Sequence, residues 1–150
     1  MTSGSRSSVK VSGLGLLPPS ARKPRVIASI VRKAIALEKA RVSGEINVVF
    51  LDRKDMLALN KRYLDHGHDT DVIAFNYGAE LPGAPFGDVY VSAYQARRQA
   101  EDLGHPILKE VLTLVAHGAL HLLGYDDSTP RKKAEMFRRQ DQLLKRTPRA

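Results

Sequence analysis

Three side chains within eleven residues have the types and the spacing to share one metal ion: His117, His121 and Asp127. Histidines four positions apart on a helix stand one turn apart on the same face, so both imidazoles can reach a single ion. Gly124 offers a left-handed stop, after which the chain can fold back and bring Asp127 to the pair. Two neutral imidazoles and one carboxylate oxygen are a usual ligand set for Zn2+ with an open fourth position, where a bound water would do the chemistry. One Zn2+ per chain is the reading, although nickel, cobalt or manganese accept the same donors. Asp126 competes for the third place. Spacing favours Asp127 and leaves Asp126 to orient a histidine from outside the ligand set.

The pattern His-x-x-x-His-x-x-Gly-x-x-Asp resembles that of the metzincin zinc peptidases, whose motif places a glutamate directly after the first histidine as general base. Here that position is Gly118. A peptidase built on this stretch lacks its base.

The elements that must position these ligands follow from periodicity. Residues Ile107 to Leu123 are apolar almost all round, which predicts a helix buried in the middle of the fold, with Pro106 at its first position. Ser128-Thr129-Pro130 predicts a cap and a last helix to about Leu144, with Met136, Phe137, Leu143 and Leu144 inward. Upstream, Val9 to Val11 reads as a short strand, and a helix opens at Ser20 or Pro24 and runs to about Arg41. Its stripe is Val26, Ile27, Ile30, Val31, Ala34 and Leu37. Glu45 to Leu51 is a strand, and Asp52 caps a helix that fades near Tyr63 and buries Met56, Leu57 and Leu59. Asp65 to Asp69 is turn-like, Val72 to Tyr77 a strand, Gly78 to Gly87 a surface loop and Asp88 to Ser92 a strand. Ser92 caps a helix from Ala93 to Leu103, which Gly104 ends. The order β-α-β-α-β-β-α-α-α predicts a single α+β domain, a mixed four-stranded sheet packed against helices with the metal site on a central buried helix. Its expected bounds are 9–146, after a Ser/Gly-rich, disordered 1–8 and before a tail at 147–150.

The 150 residues include no cysteine, which excludes disulfides and thiolate metal sites. No apolar run approaches the roughly 20 residues of a membrane span and no signal peptide is visible, so a soluble, cytoplasmic protein without a membrane partner is the default. The net charge of +8 is unevenly placed. Residues 1–25 carry five bases and no acid, and residues 130–150 carry eight bases against two acids, around a middle that is net negative by three. A basic periphery around an acidic centre suits a polyanion held near a cation site.

The string His117-Gly-Ala-Leu-His-Leu-Leu-Gly-Tyr-Asp126 resembles the signature of the YbeY family of metal-dependent endoribonucleases. Leu59-Asn60 with Tyr63, Thr70-Asp71-Val72-Ile73-Ala74-Phe75, Gly87-Asp88-Val89 and Gln99-Ala100-Glu101 agree, so the resemblance covers about residues 45–144. It implies an α+β fold with one zinc, in the cytoplasm, cutting single-stranded RNA in ribosomal RNA maturation and ribosome quality control. Ribosomal RNA and ribosomal particles are the implied partners; protein partners are not legible. Two positions depart from the family pattern. The usual third ligand is a histidine and here is Asp127, and an arginine associated with RNA is here Leu64. Arg62, Arg97 and Arg98 are the candidate phosphate contacts, with the first helix and the basic tail, and Tyr77, Tyr90 and Tyr94 the candidate stacking groups. Two other readings stay open: a zinc metallopeptidase-like hydrolase, and a non-catalytic ribosome assembly factor with a structural zinc.

Overall fold

A strand alternates its side chains between two faces, and in Glu45–Leu51 (β2) the buried positions are Ile46, Val48 and Phe50. That apolar face, shared by Val89 and Val91 of Gly87–Ser92 (β4), is what the helices cover. The computed structural model describes residues 8–64, 70–78 and 85–145. Within them the sheet runs β1-β2-β4-β3, where β1 is Ser8–Ser12 and β3 is Val72–Asn76. β1 and β4 lie parallel to β2, and β3 lies antiparallel to β4. Parallel neighbours require crossovers. The first is Pro24–Leu37 (α1), and the second contains Arg53–Leu64 (α2) and β3.

Ala93–Leu103 (α3), Ile107–Leu122 (α4) and Pro130–Lys145 (α5) follow, in the order read from the sequence. α4 packs on β3 and β4 and is flanked by α1, α3 and α5, so it is central, and ten of its residues are buried. Gly118 makes a close approach to the sheet. A Cβ built there would stand 2.5 Å from Cγ1 of Val89 and 2.6 Å from Cγ2 of Val72. The helix therefore presses on the sheet at the residue between its two histidines.

The local signals fixed several boundaries. The Asp52 carboxylate accepts from the Asp55 amide at 2.8 Å, Ser92 Oγ from Gln95 at 3.0 Å and Thr129 Oγ1 from Lys132 at 3.1 Å. Elsewhere the structure corrects the reading. α1 stops at Leu37, four residues before Arg41, because Lys39 turns to a φ of 52°. Pro106 precedes α4 with an extended ψ of 145°, so Ile107 is the first helical residue. Gly87 begins β4 rather than closing the loop before it, and β3 ends at Asn76. In α2 Met56 is buried, but Leu57 and Leu59 are only partly covered, and Asn60, one turn after Met56, is fully buried. In α5 the inward stripe is Met136, Gln140 and Leu143; Phe137, about 100° round the helix from Met136, is 42% exposed. The turn expected at 65–69, most of the loop expected at 78–87 and residues 1–7 of the expected N-terminal segment lie outside the described residues, whereas Ser8 is the first residue of β1. No described helix is long and apolar enough to cross a membrane.

Candidate metal centre

The apolar character of α4 on nearly every side buries most of the helix and leaves His117 and His121 half-buried. Their Nε2 atoms lie 3.0 Å apart, with the rings nearly perpendicular at 85°. Each Nδ1 is tied back: that of His121 lies 3.0 Å from the carbonyl oxygen of Tyr125, and that of His117 lies 3.0 Å from Oε1 of Gln140. A carbonyl only accepts, so Nδ1–H must donate in both rings. Both Nε2 atoms then carry lone pairs that face each other at 3.0 Å, an arrangement that suits a shared metal ion.

Asp127 completes the group. One ligand atom from each of His117, His121 and Asp127 falls within 4.8 Å of the others. A single zinc with bonds of about 2.0–2.2 Å needs its ligand atoms about 3.3 Å apart, close to the 3.0 Å separation of the two imidazole nitrogens, and Asp127 is an exposed side chain beside them. The chain reaches it through the left-handed turn at Gly124, with φ at 108°. Asp126 is committed elsewhere. Its carboxylate accepts from the Ser128 amide at 3.0 Å and hydroxyl at 2.6 Å, and it pairs with Lys132 at 3.4 Å. Those Ser128 hydrogen bonds hold its carboxyl below the usual carboxylate range. The expected orientation of a histidine by Asp126 is thus replaced: Gln140 and the Tyr125 carbonyl do it, because the Asx turn into α5 takes the Asp126 oxygens first.

The support extends to α1 and α5. The Tyr125 hydroxyl donates to Glu38 Oε1 at 2.7 Å, and Arg139 stands 3.7 Å from the other oxygen of the same carboxylate. Glu38 is the residue after α1, so three helices hold the loop whose carbonyl aims His121. The site opens into a cleft of about 360 Å3 lined by Asp71, Glu110, His117, Asp127, Lys133 and Gln140, among others. Phe137 forms one wall, its ring centre 6.2 Å from that of His117, which explains a large apolar residue left exposed. Glu110, two turns before His117, is buried beside His105 at 3.2 Å; burial pushes its carboxyl up, while His105 pulls it down.

The arginines named from the sequence do not line this cleft. Arg62 lies over the Tyr63 ring at 5.4 Å, Arg97 donates to the Leu16 carbonyl at 3.3 Å and Arg98 to the Tyr94 hydroxyl at 3.2 Å. Tyr77 and Tyr90 both donate to Oδ2 of Asp88, at 2.8 and 3.2 Å. Gln140, Glu38, Glu110 and Lys133 were not singled out from the sequence. Gln140 carried a signal, a polar residue on the inward stripe of α5. Glu38 carried none, since its partner is 87 residues away.

Two outcomes follow at this site. Gln140→Met keeps the volume of the side chain but leaves His117 unanchored, and metal affinity should fall about 10–100-fold in a chelator competition. Unchanged affinity would refute the anchoring role. Burial, with the neighbouring His117 next, lowers the pKa of His121 from its ordinary 6.5 against the opposing Tyr125 hydrogen bond. The unfolded chain then takes up this proton first as the pH drops. The contribution to stability is complete above 6.5, declines as the pH falls below it and levels off beneath the folded-state value. Metal-free protein should therefore melt at progressively lower temperature below pH 6.5, with the slope reduced in His121→Gln; identical slopes would contradict it.

Comparison with known proteins accords with this geometry. The family model described as Endoribonuclease YbeY matches residues 19–148. The chain is similar to "Endoribonuclease YbeY" of Elusimicrobium minutum (strain Pei191), at 41% identity over 125 residues, 80% of this chain and 85% of that one. It is also similar to the protein of that name from Bacillus cereus (strain ATCC 10987 / NRS 248), at 38% over 130 residues, 79% of this chain and 83% of that one. The fold matches the solution structure of a Thermotoga maritima protein with a TM-score of 0.57, covering 93% of this chain and 87% of that one at 24% identity. A family model spanning most of the chain, together with relatives aligned over four-fifths of it, places the protein in the YbeY endoribonuclease family.

Proposed function

We propose that this protein is a zinc-dependent endoribonuclease that cuts single-stranded RNA in the maturation of ribosomal RNA, in the cytoplasm. The observation that carries the reading is the pair of Nε2 atoms 3.0 Å apart, each fixed as an acceptor by a partner on its Nδ1, in a chain of this family. When bound, the ion held by His117, His121 and Asp127 supplies Lewis-acid charge against a phosphoryl oxygen. The chain's own residues do the rest. Gln140 and the Tyr125 carbonyl keep both rings in the ligating tautomer, and Phe137 walls the cleft beside His117. Asp127, in place of a third neutral imidazole, reduces the net positive charge of the centre by one unit.

Gly118 bears on the peptidase alternative. Its Cβ position is filled by Val72 and Val89, so the general base of a zinc peptidase has no room there. The deciding measurement is cleavage of labelled single-stranded RNA by wild type, His117→Ala and Asp127→Ala, each saturated with Zn2+ and each with chelator. Equal cleavage by all three would remove the site from the reaction. Chelator-sensitive turnover of casein would favour the peptidase. Binding to ribosomal particles without cleavage, with unfolding on chelation, would favour a structural zinc. For the ribosomal substrate, cells lacking the protein should accumulate ribosomal RNA with unprocessed ends, and normal ends would exclude that substrate.

A further inference from the structure

We propose that Lys133 is the residue that binds an RNA phosphate beside the metal centre, a role that rests on the ribonuclease reading above. The cleft around His117 is lined by the carboxylates of Asp71, Glu110 and Asp127, and the cation among its lining residues is Lys133. A polyanion entering a cleft of that composition meets repulsion that a divalent ion alone only partly offsets, and one ammonium brings the formal charge of the lining and ion together to zero. The geometry suits the task. The ammonium lies 5.9 Å from the centre of the Phe137 ring, and that ring lies 6.2 Å from the His117 ring, so charge, wall and ligand follow in sequence.

A second observation points the same way. The first turn of α5 holds Arg131, Lys132 and Lys133 and no acid, against the field of the helix dipole, which favours acids there. Lys132 is compensated by Asp126 at 3.4 Å. Lys133 makes no ion pair among the described residues and has the Phe137 ring as its neighbour, so no acid there offsets its charge. An anion beside the cleft would be met by the Lys133 ammonium.

The test is fluorescence anisotropy of a labelled single-stranded oligoribonucleotide with the zinc-loaded wild type, Lys133→Gln, Lys133→Arg and Lys54→Gln, across a salt series. Lys54 is an exposed base on α2 and controls for the loss of one positive charge. Lys133→Gln should weaken binding about 3–10-fold near 0.1 M salt and reduce the slope of log affinity against log salt by about 0.7, the share of one phosphate contact on a single strand. Lys133→Arg should restore both, and Lys54→Gln should match wild type. Equal affinity and slope for wild type and Lys133→Gln, or an equal loss in Lys54→Gln, would overturn the assignment. That failure is separable from failure of the ribonuclease reading, which is decided by RNA cleavage in wild type and His117→Ala.

Discussion

His117→Ala should lower zinc-dependent RNA cleavage by at least about 100-fold. Loss of a partner that merely orients a ligand typically costs about 10–100-fold, and loss of the ligand itself would remove one of the three bonds of the proposed centre. The structural consequence is small, because the ring stands at the edge of the cleft and is only half-buried. The variant should stay folded while losing metal and activity together, which distinguishes a site defect from unfolding. Asp127→Ala should lose less, since its carboxylate is exposed and reaches the pair from a loop. Asp127→His is the informative partner. A neutral imidazole leaves the centre one unit more positive, so metal binding should persist and the acidic limb of the pH–rate profile should move to lower pH. Activity that is indifferent to all three substitutions, measured with chelator controls, would rule out this centre as the seat of the reaction.

Gly118→Glu, which writes the peptidase glutamate into the sequence, should cost at least about 4 kcal/mol of stability and yield no peptidase. Two effects add. The Cβ alone would fall 2.5 Å from Val89 and 2.6 Å from Val72, and β-branched walls have little freedom to yield. Overpacking of this kind costs about 1–3 kcal/mol, and a carboxylate driven between helix and sheet adds several more for an unpaired polar group. Gly118→Ala isolates the steric part. Its loss should be on the order of 1 kcal/mol, after about 1 kcal/mol is regained from the better helix propensity of alanine. Urea unfolding of the three proteins measures both. A Gly118→Glu protein as stable as wild type would show that α4 can lift from the sheet, and the steric account of this glycine would fail.

Much of the architecture was legible before any coordinates because local rules and the fold agree. The caps at Asp52, Ser92 and Thr129, the glycine stop at Gly104 and the alternation of β2 each depend on residues within a few positions of one another. The same is true of His117 and His121, whose shared face follows from helical spacing alone. Boundaries slipped where one backbone angle decided them, as at Lys39 and Pro106. Facing slipped on α5, where apolar character suggested Phe137 and packing chose Gln140.

The types of the ligands, their spacing and the family likeness were therefore properties of the sequence. Which groups aim those ligands was not. Gln140 on α5, Glu38 after α1 and Lys133 at the cleft come from segments distant in the chain, and their hydrogen bonds and charges acquire meaning only when α1, α4 and α5 pack together. The physical reason is range. Helical periodicity and capping act over a few residues, whereas tautomer, orientation and the field inside a cleft are set by whatever the tertiary fold brings within a few ångströms.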